Sequence, residues 1–212
     1  MNLTAILLIL TAYLVGAIPF GLVLTFRSGV DIRNQGSRNI GATNVARLLG
    51  KKMGILTLAC DVLKGYLPMY IAGLVMQGEA NASLVVALSG AASVLGHMFP
   101  VYLGFKGGKG VATALGAFFY LAPLAVLGCL MVFLLTVRLS GFVSLGSLLA
   151  SASILLWLSL LGFTDWRLWL ATGIVAMIWI KHAQNIKRLL SGTEKSWKKE
   201  PGERRCILRR GK

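Results

Sequence analysis

Leu3-Thr4-Ala5-Ile6-Leu7-Leu8-Ile9-Leu10-Thr11-Ala12-Tyr13-Leu14-Val15-Gly16-Ala17-Ile18-Pro19-Phe20-Gly21-Leu22-Val23-Leu24-Thr25-Phe26 holds no charged side chain. About 20 apolar residues suffice for an α-helix to cross a hydrocarbon core of about 30 Å. The run is continuously apolar rather than alternating, which favours a helix over a barrel strand. No Lys or Arg precedes Arg27, and the run is long and rich in Gly and aromatic residues. It therefore reads as a retained helix and not a cleaved leader. Six further apolar stretches follow, at 53–76, 82–104, 108–121, 124–138, 143–162 and 167–183. The expectation is an all-α integral membrane protein with seven transmembrane helices. The stretches 108–121 and 124–138 are short for a full crossing, so they need shielding by their neighbours. Pro123 is expected in the tight turn between them.

Composition supports this. The 212 residues are 56% hydrophobic and 14% charged, whereas a soluble domain is about half apolar and about a quarter charged. Net charge is +15. In a soluble chain that would suggest nucleic acid. Here the charge sits in loops beside apolar runs, so the expected partner is a phospholipid bilayer, and nucleic acid is not expected. Positive charge also sets an orientation. The loop at 27–52 contains Arg27, Arg33, Arg38, Arg47, Lys51 and Lys52 against Asp31. The third loop holds Lys106 and Lys109, the fifth Arg138, and residues 181–212 hold eleven Lys or Arg. The alternate loops are almost free of cations. The positive-inside rule thus puts the N-terminus in the periplasm and the C-terminus in the cytoplasm. The domain organisation expected is one seven-span unit, 1–196, and a basic cytoplasmic tail, 197–212. Cys60, Cys129 and Cys206 have no metal spacing, and six residues follow Cys206, which excludes a prenylation signal.

Four cationic-side segments have polar chemistry beyond that of connectors. Gly36-Ser37-Arg38-Asn39-Ile40-Gly41-Ala42-Thr43-Asn44-Val45-Ala46-Arg47 combines turn-forming glycines, side-chain donors and a guanidinium fork with no acidic residue. Gly104-Phe105-Lys106-Gly107-Gly108-Lys109-Gly110 leads into an apolar run, a natural anion cradle at a helix start. It is not a Walker A loop: three residues separate Gly104 from Gly108, and Gly110 follows Lys109. Ser140-Gly141-Phe142-Val143-Ser144-Leu145-Gly146-Ser147 is weaker, since Ser and Gly also serve helix packing in lipid. In Lys181-His182-Ala183-Gln184-Asn185, His182 and Asn185 share a helical face. Asp61 and Lys64 have pairing distance on the second stretch and read as a structural ion pair, and His97 as a packed or capping histidine.

Gly36–Val45, Asp61-Val62-Leu63-Lys64-Gly65, Gly96-His97, Gly104–Thr113 and His182–Leu189, in this order and spacing from about residue 10 to 196, resemble the bacterial acyl-phosphate:glycerol-3-phosphate acyltransferase family of the PlsY type. The resemblance implies a multi-pass enzyme of the bacterial inner membrane with its active site facing the cytoplasm. It implies acyl transfer from acyl phosphate to the 1-position of sn-glycerol 3-phosphate, giving lysophosphatidic acid and inorganic phosphate, the first acylation of phospholipid synthesis. A phosphate acyltransferase is the implied supplier of the donor; no cofactor is implied. By resemblance Ser37, Arg47 and Lys106 hold acyl phosphate with the backbone of Gly104, Gly107, Gly108, Lys109 and Gly110. Ser144, His182 and Asn185 hold glycerol 3-phosphate, and Asn39, Thr43 and Asn44 shape the pocket. The sequence departs from the family in two places: Arg38 stands where Gly is usual, and Lys181 where Arg is common.

The residues suit that chemistry. An acyl phosphate is already activated, so positioning and charge neutralisation are the main tasks. No Ser-His-carboxylate or cysteine arrangement stands out. The His-x-x-x-x-Asp pattern is missing too, because Tyr102 and Lys187 occupy the fifth position after each histidine. No carboxylate base is evident in the inside loops. The donor's own phosphate is therefore the expected proton acceptor, with His182 as the alternative. No metal is expected, for want of clustered ligands. Two rival classes remain at this level: an organic-phosphate transporter, for which no repeat marks a midplane site, and an assembly protein binding anionic lipid.

Overall fold

The structure, a computed structural model, describes residues 1–197. The described residues are helical with connecting turns. The first apolar run breaks at Ile18-Pro19 into α1 (Leu3–Ala17) and α2 (Phe20–Thr25). The amphipathic α3 (Ala42–Leu49) follows, and then α4 (Lys51–Val75) and α5 (Ala82–Met98). Next come α6 (Val111–Leu121), α7 (Pro123–Ser140), α8 (Val143–Leu160), α9 (Trp166–Lys181) and α10 (Ala183–Leu190). Every predicted apolar stretch is helical. Five are long and apolar enough to cross a bilayer: Leu3–Ser28, Lys51–Val75, Ala82–Leu103, Pro123–Ser140 and Val143–Leu160. The 124–138 stretch gains length on folding, because Pro123 serves as the first residue of α7 rather than as a turn. By contrast α6 has 11 residues and α9 has 16.

The outer surface is apolar: Leu10, Ile55, Met131, Leu134 and Leu156 are all exposed. In water such a surface would drive association; in lipid it is the solvated face. Inside, α1 packs on α5 and α4, α4 on α5 and α6, and α7 and α8 form a hairpin braced by α9. The short α6 lies tight against α4 through a reciprocal glycine contact. A Cβ on Gly65 would fall 2.0 Å from the Thr113 carbonyl oxygen, and one on Gly116 1.9 Å from that of Val62. Small residues give backbone proximity where lipid offers no hydrophobic drive to associate, so α6 is held between helices despite its length.

The expected ion pair is present and central. Lys64 Nζ lies 2.7 Å from Asp61 Oδ1, and both side chains are buried. The same ammonium donates to the Ile18 carbonyl at 2.8 Å, at the break between α1 and α2. His97 Nδ1 is 3.6 Å from Asp61 Oδ1. One charged node thus joins α1, α4 and α5. Removing one partner leaves an uncompensated charge in a dry interior. Asp61→Ala is expected to destabilise by about 3–5 kcal/mol, read as a lower melting temperature in detergent. The Asp61→Leu/Lys64→Leu double variant is expected to recover most of the loss.

Candidate functional site

At one end of the bundle the Arg- and Lys-rich segments meet around a cavity of about 330 Å³. Its polar end is lined by Ser37, Asn39, Thr43, Arg47, Lys109, Ser144, His182 and Asn185, together with Glu194 and Lys195. Segments that sequence separates by up to about 150 residues therefore line one cavity.

Three helices begin at this cavity: α3 after Gly41, α6 after Gly110, and α8 after Phe142. None of the three has a side-chain cap or an acidic residue in its first turn. The first N–H groups of a helix have no intrahelical partner and carry the positive end of its dipole. First-turn residues Ala42, Thr43, Val111, Ala112, Val143 and Ser144 line the cavity. An anion placed there meets three unoccupied sets of donors. Gly110 has φ +82°, the left-handed conformation that ends the glycine-rich turn and starts α6.

The first loop is built on Asn44. Its Oδ1 accepts from the Ser37 N–H at 2.8 Å, and its Nδ2 donates to the carbonyls of Ile32 and Gln35 at 2.9 and 3.2 Å. Buried and fully engaged, Asn44 shapes the loop. Asn39 Oδ1 accepts from the Gly41 N–H at 2.9 Å, which sets the approach to α3. Ser37 is exposed at the rim, and Thr43 and Arg47 are half-buried.

In the glycine-rich loop the two lysines part company. Lys109, directly before the start of α6, lines the cavity, whereas Lys106 is exposed and outside its lining. Burial pushes Lys109 down to about 8; Glu194 opposes the shift, and Arg188 and Arg47 add to it. Gly104 and Gly107 also lie outside the lining. Gly108 packs on His97, where a Cβ would fall 2.0 Å from Nε2, and its N–H donates to the His97 carbonyl at 3.0 Å. Asp61 and His97 thus reach the cavity as its inner support.

His182 is buried at the end of α9, and its Nδ1 lies 2.8 Å from the Ile178 carbonyl. Only a protonated Nδ1 makes that contact favourable, which leaves Nε2 of the neutral ring as an acceptor. Asn185, one turn into α10, is buried beside it.

Among the cavity residues that the sequence reading did not assign to the site are Ser147 and Glu194. Ser147 lies three residues after Ser144 on the same helical face, and that spacing was its available signal. Glu194 had no local signal. The chain after α10 folds back over the cavity mouth, with Lys195 Nζ donating to the Gly36 carbonyl at 3.0 Å and the Trp197 N–H to the Gly141 carbonyl at 2.7 Å. This brings in the carboxylate that the loops lacked. Glu194 Oε1 accepts from Ser144 Oγ and Asn185 Nδ2, both at 2.7 Å, and Oε2 from Arg188 Nε at 2.7 Å. Burial disfavours its charge, but the bonds from Arg188, Ser144 and Asn185 outweigh burial and hold it below the usual carboxylate range. Both oxygens are occupied in orienting neighbours. Residues 198–212, most of the expected basic tail, lie outside the described residues, as does Cys206.

The glycerol-3-phosphate acyltransferase family model matches residues 6–192. The chain belongs to this family. A glycerol-3-phosphate acyltransferase of Desulfotalea psychrophila is 59% identical over 191 residues, covering 90% of this chain and 97% of that protein. Its counterpart in Aquifex aeolicus is 47% identical over 190 residues, with 90% and 97% covered. Among solved structures, PlsY, an integral membrane glycerol 3-phosphate acyltransferase, superimposes in its glycerol 3-phosphate form with a TM-score of 0.86. Identity is 45%, and 92% of this chain and 96% of that one are covered. The lysophosphatidic acid form gives a TM-score of 0.83 at 44% identity, covering 91% and 95%.

Arg38 has φ +57°, in the left-handed region, at the position where the resemblance predicts glycine. The left-handed conformation costs an L-residue roughly 1–2 kcal/mol, a cost that glycine does not bear. The Arg38 side chain is exposed and outside the cavity lining. Arg38→Gly is expected to stabilise the fold by about 1 kcal/mol, after the larger unfolded-state entropy of glycine is subtracted. The KM for glycerol 3-phosphate should stay unchanged; a raised KM would put the guanidinium in contact with substrate.

Proposed function

We propose that this protein transfers a fatty acyl group from acyl phosphate to the 1-hydroxyl of sn-glycerol 3-phosphate, at the cytoplasmic face of a bacterial inner membrane. The carrying observation is the polarity of the cavity. Uncapped helix starts, Arg47 and Lys109 stand at one end, and apolar side chains such as Leu115, Phe118, Val126 and Ile154 at the other. A molecule with a phosphate head and an acyl chain fits that gradient. The match to PlsY in forms with glycerol 3-phosphate and with lysophosphatidic acid supports the same acceptor and product. A seven-span topology with the N-terminus outside follows from the charge distribution, with the short α6 crossing between its longer neighbours and α9 along the outside of α8 and α5.

In this reading the positive groups offset repulsion between two phosphate-bearing substrates. Arg47 and Lys109 neutralise phosphate oxygens, and the starts of α3, α6 and α8 supply N–H donors. Ser144, His182 and Asn185 hold the acceptor, and Glu194 fixes the orientation of Ser144 and Asn185. The attacking hydroxyl adds to the acyl carbon, the carbon–oxygen bond to phosphate breaks, and the hydroxyl proton passes to the departing phosphate. The products are an ester and hydrogen phosphate, so no protein group changes its protonation overall. His182 Nε2 accepts from the acceptor's 2-hydroxyl, which aims the 1-hydroxyl at the acyl carbon and leaves its proton facing the departing phosphate. His182→Gln is expected to raise the KM for glycerol 3-phosphate while kcat stays within about tenfold. A loss of 10²-fold or more in kcat at saturating substrate would instead make His182 the base.

The direct test is phosphate release from palmitoyl phosphate by purified protein, with and without glycerol 3-phosphate. Release that depends on the acceptor supports the proposal; uptake of glycerol 3-phosphate into proteoliposomes without donor would replace it with transport. In this assay Lys109→Ala is expected to lose roughly 10²-fold or more in kcat/KM, the range for removing an electrostatic donor. Lys106→Ala, outside the cavity, is expected to lose little. Lys109 is cationic below about 8 and neutral above it, so kcat/KM should fall as pH rises through that value. Lys109→Arg, whose guanidinium does not titrate there, should flatten this alkaline limb.

A further inference from the structure

The apolar limb of the cavity changes character along its length. On α8 the lining residues run Ser144, Ser147, Ala150, Ser151 and then Ile154, one face of one helix. On α6, which starts at the same end, they run Ala112, Ala114, Leu115 and then Phe118. Past the valines that open each helix, Val111 and Val143, both walls go from small to large side chains, and Leu130 and Phe133 of α7 face the same stretch. From the antiparallel α7, Val126 arrives at the same depth. Phe118, Val126 and Ile154 are 5%, 2% and 3% exposed, and Leu158, one turn further, is fully buried in the same cluster. Beyond this packed layer lies a separate hollow lined by Leu121, Pro123, Leu124, Leu161 and Phe163. Along the helix axes the limb therefore ends at this packed layer. Its depth from Ser144 to Ile154 is ten residues of helix, about 15 Å.

We propose that Phe118, Val126 and Ile154 form a stop that sets the length of acyl chain the enzyme accepts. This rests on the reading above, in which the acyl chain occupies the apolar limb. A chain that ends short of the stop leaves unfilled volume, and the lining loses dispersion contacts. A chain that is too long must displace close-packed side chains from their rotamers. Both penalties grow with each methylene, so the preference is peaked.

The test uses full-length protein in detergent and a series of saturated acyl phosphates that differ by two carbons. Ile154→Ala and Phe118→Ala are each expected to move the optimum toward longer chains. The kcat/KM for a donor two methylenes beyond the wild-type optimum should rise about tenfold relative to that optimum. Ala150→Leu, which thickens the channel wall before the stop, is expected to move the optimum to shorter chains. The KM for glycerol 3-phosphate should be unchanged in all three, showing an intact polar end. Folded variants with the wild-type length profile, or with equal losses at every length, overturn the proposal. If wild-type protein gives no turnover with any acyl phosphate, the donor assignment fails. The stop is then decided separately by thermal stabilisation with lysophosphatidic acids of the same chain lengths. Ile154→Ala must favour longer ones than wild type does, and an unchanged order overturns the stop.

Discussion

Lys64 is a full charge in the interior of an apolar bundle, and the rest of the structure is arranged around satisfying it. Its ammonium meets the Asp61 carboxylate and the Ile18 carbonyl. Lipid offers no hydrogen bonds, so each of these groups would be expensive alone. Together they fix the break in the first apolar run against α4. Asp61 in turn faces His97 at the end of α5. The His97 carbonyl holds the Gly108 N–H, one residue before Lys109. A single internal charge balance thus reaches from the helix packing to the loop that lines the cavity.

The same economy of partners governs the polar end. Helix starts are usually closed by a Ser, Thr, Asp or Asn side chain. Here α3, α6 and α8 begin without one, and all three begin at the cavity. A missing cap does not by itself set them apart: α2, α4, α5, α7 and α10 also start without a side-chain cap, and only Asn2 on α1 and Asp165 on α9 supply one. What distinguishes α3, α6 and α8 is that the first two residues of each line the cavity. Two carboxylates line the cavity among the described residues: Asp61, paired with Lys64 at its inner side, and Glu194 at its polar end. Glu194 is bound on both oxygens by Ser144, Asn185 and Arg188, so its charge is spent on fixing donors and not on filling the anion site.

Much of this was legible in the chain itself. A continuous apolar run, such as 3–26 or 143–162, fixes helix and lipid because length and hydropathy suffice for both. Lys and Arg confined to alternate loops separate the two ends. Asp61 and Lys64, three residues apart, declare a pair because helical geometry puts them on one face. The donor-rich segment Ser37–Arg47 and the glycine-rich loop declare anion chemistry because residue types set hydrogen-bonding capacity.

What the sequence could not decide was direction and long-range return. Lys106 and Lys109 are equivalent as letters; only the start of α6 at Val111 turns one into the cavity and leaves the other outside. Asn44 reads as a residue that shapes the pocket, but how it does so was not readable: its amide binds backbone groups of Ile32, Gln35 and Ser37 once the loop closes. Glu194 reaches Ser144 across fifty residues, and nothing near it in the chain announces that contact. Local periodicity and composition are properties of neighbours along the chain, so they determined the helices, their solvent and the charge of the site. Which side chain faces the cavity depends on how distant helices pack, and that was decided only in three dimensions.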